Sequence, residues 1–357
     1  MPLPVSLWPR PAVVCGIRRP SSASRFAGIS DAYTRQFLTP RGVAGQTTSW
    51  LREPTVLLPA AMRIRETFPE GMPADNPIRV YAASDGSDAW SLAHALRLTG
   101  LLHPDSKPMT AYPIDASDLH PGRVAVAQEG YVEVFDRELE LADQAVQAFA
   151  QQNDAPDPKA WHNRAVFSQA VSIPIPLAGI LNAYGLPFCQ PEHQWYRVSD
   201  ALREPVTFRE ADIEADLQAN PLPQDGPSVV LFRNVWGYMD KEDPQKCQRV
   251  ARLLGQQMAP GSLLVTGKLE APLPSEVALA ASRMAKQLAF LAAQRLFPGV
   301  SQAQMEAALG EFSPGDLPKH RLDVPALLRQ EGFEPVFEVP RRSVTGHDYE
   351  GQLWIKQ

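Results

Sequence analysis

The chain has 357 residues, 44% of them apolar and 21% charged, and a net charge of −6. That length can bury a sizeable core in one large or two smaller domains, and the charge balance carries no general nucleic-acid signature. No apolar run approaches the ~18–20 residues of a membrane span, and three scattered cysteines (Cys15, Cys189, Cys247) without CxxC or Cys/His spacing argue against a zinc site or a disulfide frame.

Free thiols and the absence of an uninterrupted apolar leader, which prolines at 2, 4, 9 and 11 break up, predict a cytoplasmic protein. Residues 1–46 carry arginines at 10, 18, 19, 25, 35 and 41 against the single acid Asp31. They read as a basic arm, either a solvated terminus or a surface for an acidic partner. An organelle import sequence would have the same composition. The segment Thr47-Thr48-Ser49-Trp50-Leu51-Arg52-Glu53-Pro54 then leads into the folded part.

Residues 78–83 predict a strand, 84–88 (Ser-Asp-Gly-Ser-Asp) a turn, and 90–98 a helix with Ser87 or Asp88 as its N-cap. Strand, glycine turn and helix form the entry to a nucleotide-type pocket. GxGxxG is absent, and one glycine between two aspartates cradles pyrophosphate poorly, whereas acids suit a ligand with a cationic amino group. Residues 109–114 predict the second strand, after which Asp118 stands where a carboxylate can accept both ribose hydroxyls; a helix cap is the alternative role.

Residues 139–152 predict a helix inside a Pro-, Gln- and Asn-rich stretch, 133–195, which reads as a lid or as a structural elaboration. A third strand is expected at 206–208. Residues 229–232 form a buried strand followed by a polar loop with Arg233, Asn234 and Tyr238, then a helix over 244–258, the breaker Pro260-Gly261 and a strand at 263–266. This is a parallel crossover unit, and the loop at its strand's carboxyl end is where a ligand sits. A long amphipathic helix over 275–297 forms a second insertion, 271–322. A helix at 324–328, a turn at Gly332-Phe333 and strands at 336–339 and 353–355 close the chain as an antiparallel pair.

Taken together, TTSWLRE, RVYAASDGSDAWSLA, ASDLH followed by AQEGY, and RNVxxY with PGxLLxxGxxE resemble the chemotaxis-receptor glutamate methyltransferases (CheR type), over roughly 47–132 and 196–270. The resemblance implies an α/β class I methyltransferase fold, a mostly parallel seven-stranded sheet with helices on both faces, spanning 47–357. It also implies S-adenosyl-L-methionine as cofactor and a protein or small-molecule carboxylate as methyl acceptor. Arg52 then faces the cofactor carboxylate, Ala83 and Gly86 line its pocket, Asp88 takes its amino group, Asp118 the ribose and Asp212 the adenine amine. Arg233, Asn234 and Tyr238 line the space between cofactor and acceptor, with Arg233, Tyr238 and Arg52 in catalytic roles. Two other readings stay open: a catalytically idle module that binds the cofactor, and a small-molecule methyltransferase on the same fold.

Overall fold

A computed structural model describes residues 50–103, 105–119, 121–171, 193–267, 270, 322–336 and 351–357. The basic arm, Cys15, Cys189, the helix expected at 275–297 and the strand positions 337–339 lie outside them.

Strands whose neighbours cover both faces are continuous apolar runs, and three such runs form the centre of the sheet. They are β1 (Ile78–Tyr81), β7 (Val229–Phe232) and β8 (Leu263–Gly267), buried at every position. β2 (Ile114–Asp118) and β6 (Val206–Glu210) extend the sheet on the β1 side in parallel register. β10 (Gly351–Lys356) runs antiparallel between β8 and β9 (Phe333–Pro335). The sheet order is β6-β2-β1-β7-β8-β10-β9. Renumbered within the sheet, it reads 3-2-1-4-5-7-6 with the seventh strand reversed. This is the class I methyltransferase fold, as the sequence predicts.

Two elements differ from expectation. The second strand starts at Ile114, because Pro108 and Pro113 bracket a single 3₁₀ turn, Met109–Ala111, in place of its expected beginning. The penultimate strand lies at Phe333–Pro335, directly after Gly332, whose φ of +82° makes the turn.

Each sheet face has its own core. On one side lie α1 (Pro54–Thr67), with proline at its first position, and α2 (Ser87–Thr99), buried on nearly all sides as a helix wedged between sheet and insertion must be. On the other side α8 (Pro244–Gln257) is amphipathic. Asp243 caps it by accepting the Gln245 N–H, and Cys247, Val250, Ala251 and Leu254 at helical spacing face the core. The Cys247 thiol is free and buried, and burial pushes its pKa up to about 12, so it behaves as a small apolar side chain.

Between β2 and β6 the chain inserts a subdomain: α3 (Pro121–Glu129), β3 (Tyr131–Phe135), α4 (Asp136–Gln152), β4 (Phe167–Val171) and β5 (His193–Val198). The last three strands form an antiparallel sheet, β3-β5-β4, that the sequence reading did not predict. It is fastened to the main body by the Trp50 indole, which donates to Asn163 Oδ1 at 2.9 Å. Among the described residues no helix is long and apolar enough to cross a membrane.

Candidate functional site

In an open α/β sheet, ligands bind at the carboxyl ends of the strands where the strand order reverses. Here that point lies between β1 and β7, so the segments after Tyr81 and Phe232 form its floor. Gly86, at φ +91°, is the N-cap of α2, one position before the expected Ser87 or Asp88. A Cβ there would meet Trp90 Nε1 at 2.7 Å and both Ala127 Cβ and Phe208 Cζ at 3.0 Å. Gly86→Ala is therefore expected to cost about 1–3 kcal/mol from the left-handed backbone alone, measurable as a lower urea midpoint, and to close the floor of the pocket.

Asp88, in the first turn of α2, anchors an ionic network. Arg52 Nη2 contacts Asp88 Oδ2 at 2.7 Å, and Arg233 Nη1 contacts Asp88 Oδ1 at 3.2 Å. Arg233 also donates to Glu53 Oε2 at 2.9 Å and to the Arg52 carbonyl at 2.6 Å. Asn234 Nδ2 donates to the other Glu53 oxygen at 2.9 Å. Burial opposes the Arg233 charge, yet the carboxylates of Asp88 and Glu53 outweigh it and hold the guanidinium firmly protonated. The Arg233 side chain is 1% exposed and that of Arg52 11%, so Arg52 presents the guanidinium nearer the solvent side.

Below this layer, Glu270 carries the turn that starts after β7. Its carboxyl accepts the N–H groups of Gly267 at 2.7 Å, Asn234 at 2.8 Å and, more weakly, Trp236 at 3.4 Å. Burial, set against those donors and reinforced by Glu53, raises its pKa to about 7. Gly267 must be glycine, since a Cβ would collide with the Asn234 amide.

Of the six non-glycine residues at positive φ among the described residues, Leu51, Glu53, Ala82, Ser84 and Asn234 surround this site. Each such conformation costs of order 1–3 kcal/mol and persists only where its surroundings impose it.

The remaining predicted residues fall around the same opening. Ala83 is buried, and its N–H donates to the Ser117 carbonyl across to β2. Asp118 ends β2 and accepts the Ser84 N–H at 2.8 Å, joining the β1 and β2 ends. Asp212 is the N-cap of α6 (Ile213–Ala219), and its second oxygen meets Lys246 Nζ at 2.6 Å. Burial pushes its pKa up, but Lys246 and the Ala215 and Glu214 amides hold it below the usual carboxylate range. Tyr238 is 44% exposed and stands within α7 (Trp236–Glu242), not in the loop where the sequence places it.

Glu53 and Glu270 were not predicted as site residues. Charge balance requires an arginine directly after a fully buried strand to meet a carboxylate but does not say which one; Glu53 answers that requirement, whereas Glu270 binds backbone amides.

No protein-family model matches the chain, and no curated protein matches it in sequence. Among solved structures it is similar to the CurJ carbon methyltransferase at 12% identity and a TM-score of 0.37, over 85% of this chain and 54% of that one. It is also similar to magnesium protoporphyrin IX methyltransferase of Synechocystis PCC 6803 with bound SAM (11%, 0.34, 85% and 79%) and to the trans-methyltransferase CalH in complex with SAH (13%, 0.36, 84% and 55%). The chain spans about half the length of the first and last of these. The fold assignment rests on the strand order itself.

Proposed function

We propose that the chain is an S-adenosylmethionine-dependent O-methyltransferase that esterifies a carboxylate. The observation that carries this reading is the set of charges at the reversal of the sheet: Asp88, Asp118 and Arg52 around a single left-handed glycine turn. The turn lacks a phosphate cradle but offers carboxylates to an ammonium and a diol, and a guanidinium to a carboxylate, which are the polar groups of an amino-acid nucleoside.

The cofactor supplies a methyl group on a sulfonium. Asp88 would hold its amino group, Arg52 its carboxylate and Asp118 its ribose. Methyl transfer to a carboxylate forms the O–CH₃ bond as the S–CH₃ bond breaks, giving a neutral ester and a thioether with no proton to move. The residues' work is then alignment and exclusion of water. Arg233, spent on Glu53 and Asp88, acts in this reading by fixing the Arg52–Asp88 pair, and Tyr238, on the rim, would meet the acceptor.

The test is calorimetric titration of S-adenosylhomocysteine. Micromolar binding to the wild type is expected, weakened about 100-fold, some 2.8 kcal/mol, in Asp118→Ala. Asp118→Asn, which can still accept the Ser84 N–H, should keep the fold and lose most of the affinity. No binding to the folded wild type would sink the proposal. Binding without base-labile methyl incorporation into any carboxylate acceptor would overturn the ester-forming reading and leave the idle module and a small-molecule methyltransferase of other acceptor chemistry.

A further inference from the structure

Away from the strands' carboxyl ends, a cavity of about 380 Å³ is lined by Arg97, Met109, Thr110, Val166, Ser199 and Leu202. Its position follows from the chain. Met109 and Thr110 precede the first residue of β2. Ser199 and Leu202 precede the first residue of β6, Leu202 on α5 (Asp200–Arg203). The cavity therefore opens at the amino ends of the strands, across the sheet from Gly86 and Asp88. The same helix serves both ends: α2 begins at the Gly86 turn and carries Arg97 in its last turn.

Arg97 is the unusual residue. Arg65 donates to the carbonyls of Leu96 and Lys107, Arg209 pairs with Asp115 and Asp216, Arg79 reaches the Asn220 carbonyl, and Arg233 is held as described. Among the described residues Arg97 makes no ion pair, and its Nε is buried with no acceptor. Burial alone lowers its pKa, with no carboxylate acting the other way. The side chain is half-buried, with Nε turned inward and its charge paired with no described carboxylate, so the guanidinium can take an anion that enters the cavity. Beside it the walls are apolar, with Met109, Val166 and Leu202 all buried, and the hydroxyl-bearing Thr110 and Ser199 complete the lining.

We propose that this cavity is a second ligand site, separate from the methyl-transfer site, that binds a small apolar monocarboxylate with its carboxylate on Arg97 and its hydrocarbon against Met109, Val166 and Leu202. One guanidinium matches one carboxylate in bidentate geometry. The apolar walls favour a hydrocarbon chain over a phosphate or a second negative charge. The volume lies at the small end of the ~300–1,000 Å³ range of ligand pockets, so a short chain fits. The inference does not depend on the methyltransferase reading.

The experiment titrates hexanoate into the full chain by calorimetry and thermal melting, with hexanol as the uncharged probe. Hexanoate is expected to bind and raise the melting temperature, while hexanol binds at least about tenfold more weakly, the equivalent of 1.4 kcal/mol. Arg97→Gln should lose about tenfold or more in hexanoate affinity at an unchanged urea midpoint, with Arg97→Lys recovering part of it. Ala201→Phe, which fills the mouth of the cavity from an exposed position and leaves Arg97 intact, should block binding as well. Absence of hexanoate binding up to about 10 mM, well above a Kd of ~1 mM, would overturn the proposal. So would equal affinity in Arg97→Gln or in Ala201→Phe.

Discussion

Arg233→Met is expected to destabilise the protein by about 3–5 kcal/mol, because it removes the cation paired with Glu53 in the interior and leaves Asp88 to Arg52 alone. Methionine roughly keeps the apolar volume, so the loss reports the charge rather than a cavity. The double variant Arg233→Met/Glu53→Gln separates the contributions. Taking the stranded Glu53 charge away should restore part of the loss, giving a coupling energy of about 0.5–3 kcal/mol in a double-mutant cycle read by urea denaturation. If the two substitutions were simply additive, Arg233 and Glu53 would not be coupled and the network would be a coincidence of geometry. The same cycle bears on function. Where Arg233 acts by fixing Asp88, Arg233→Lys should hold more of the stability than Arg233→Met and still weaken S-adenosylhomocysteine binding, since an ammonium cannot reproduce the fork to Glu53, Asp88 and the Arg52 carbonyl.

That network also shows which parts of the site can be read from a sequence. β1, β7 and β8 are apolar at nearly every position because both faces of a central parallel strand are covered, and such runs stand out. Arg233 follows one such strand directly and Gly86 lies about a turn beyond another, so their places at the sheet end were predictable. β2 was not legible in the same way. Its sequence, IDASD, is polar at alternate positions because Asp115 pairs with Arg209 on the edge strand β6, and that partner lies 94 residues away. The three-stranded sheet of the insertion was missed because β4 (FSQAV) and β5 (HQWYRV) lack clean alternation and their pairing is non-local. Tyr238 was placed in a loop because the helical pattern was read as starting only at Pro244. In the structure the turn at Asn234 is already complete and α7 begins at Trp236. Glu53 and Glu270 were quoted within motifs but given no role, since nothing local tells which of 40 acids meets a buried arginine.

Glu270 gives the second large effect, one of pH. Its carboxyl is raised from an ordinary value of 4.5 to about 7, burial being the main cause. Between those values the folded protein holds a proton that the unfolded chain has released, so stability falls as pH rises. The contribution is fully present below about 4.5 and is lost as pH passes through about 7, with a ceiling of roughly 3 kcal/mol at 1.36 kcal/mol per unit. The geometry accommodates the neutral form. The amides of Gly267 and Asn234 both bond Oε2, whereas Oε1 receives only the long contact from Trp236, so the proton can reside on Oε1 without breaking either short bond. Wild type and Glu270→Gln unfolded in urea at pH 5, 6, 7 and 8 give the measurement. Every other titrating group is common to the two proteins, so the wild type should lose up to about 2.5 kcal/mol more than the variant between pH 5 and pH 8. Parallel profiles would mean that Glu270 ionises at an ordinary pH and that the Asn234 turn is held without it. A steeper fall in the wild type would make the backbone beneath Arg233 and Tyr238 the part of the site most sensitive to alkaline pH, and Tyr238, carried on the helix that Glu270 anchors, would be the first rim residue to feel it.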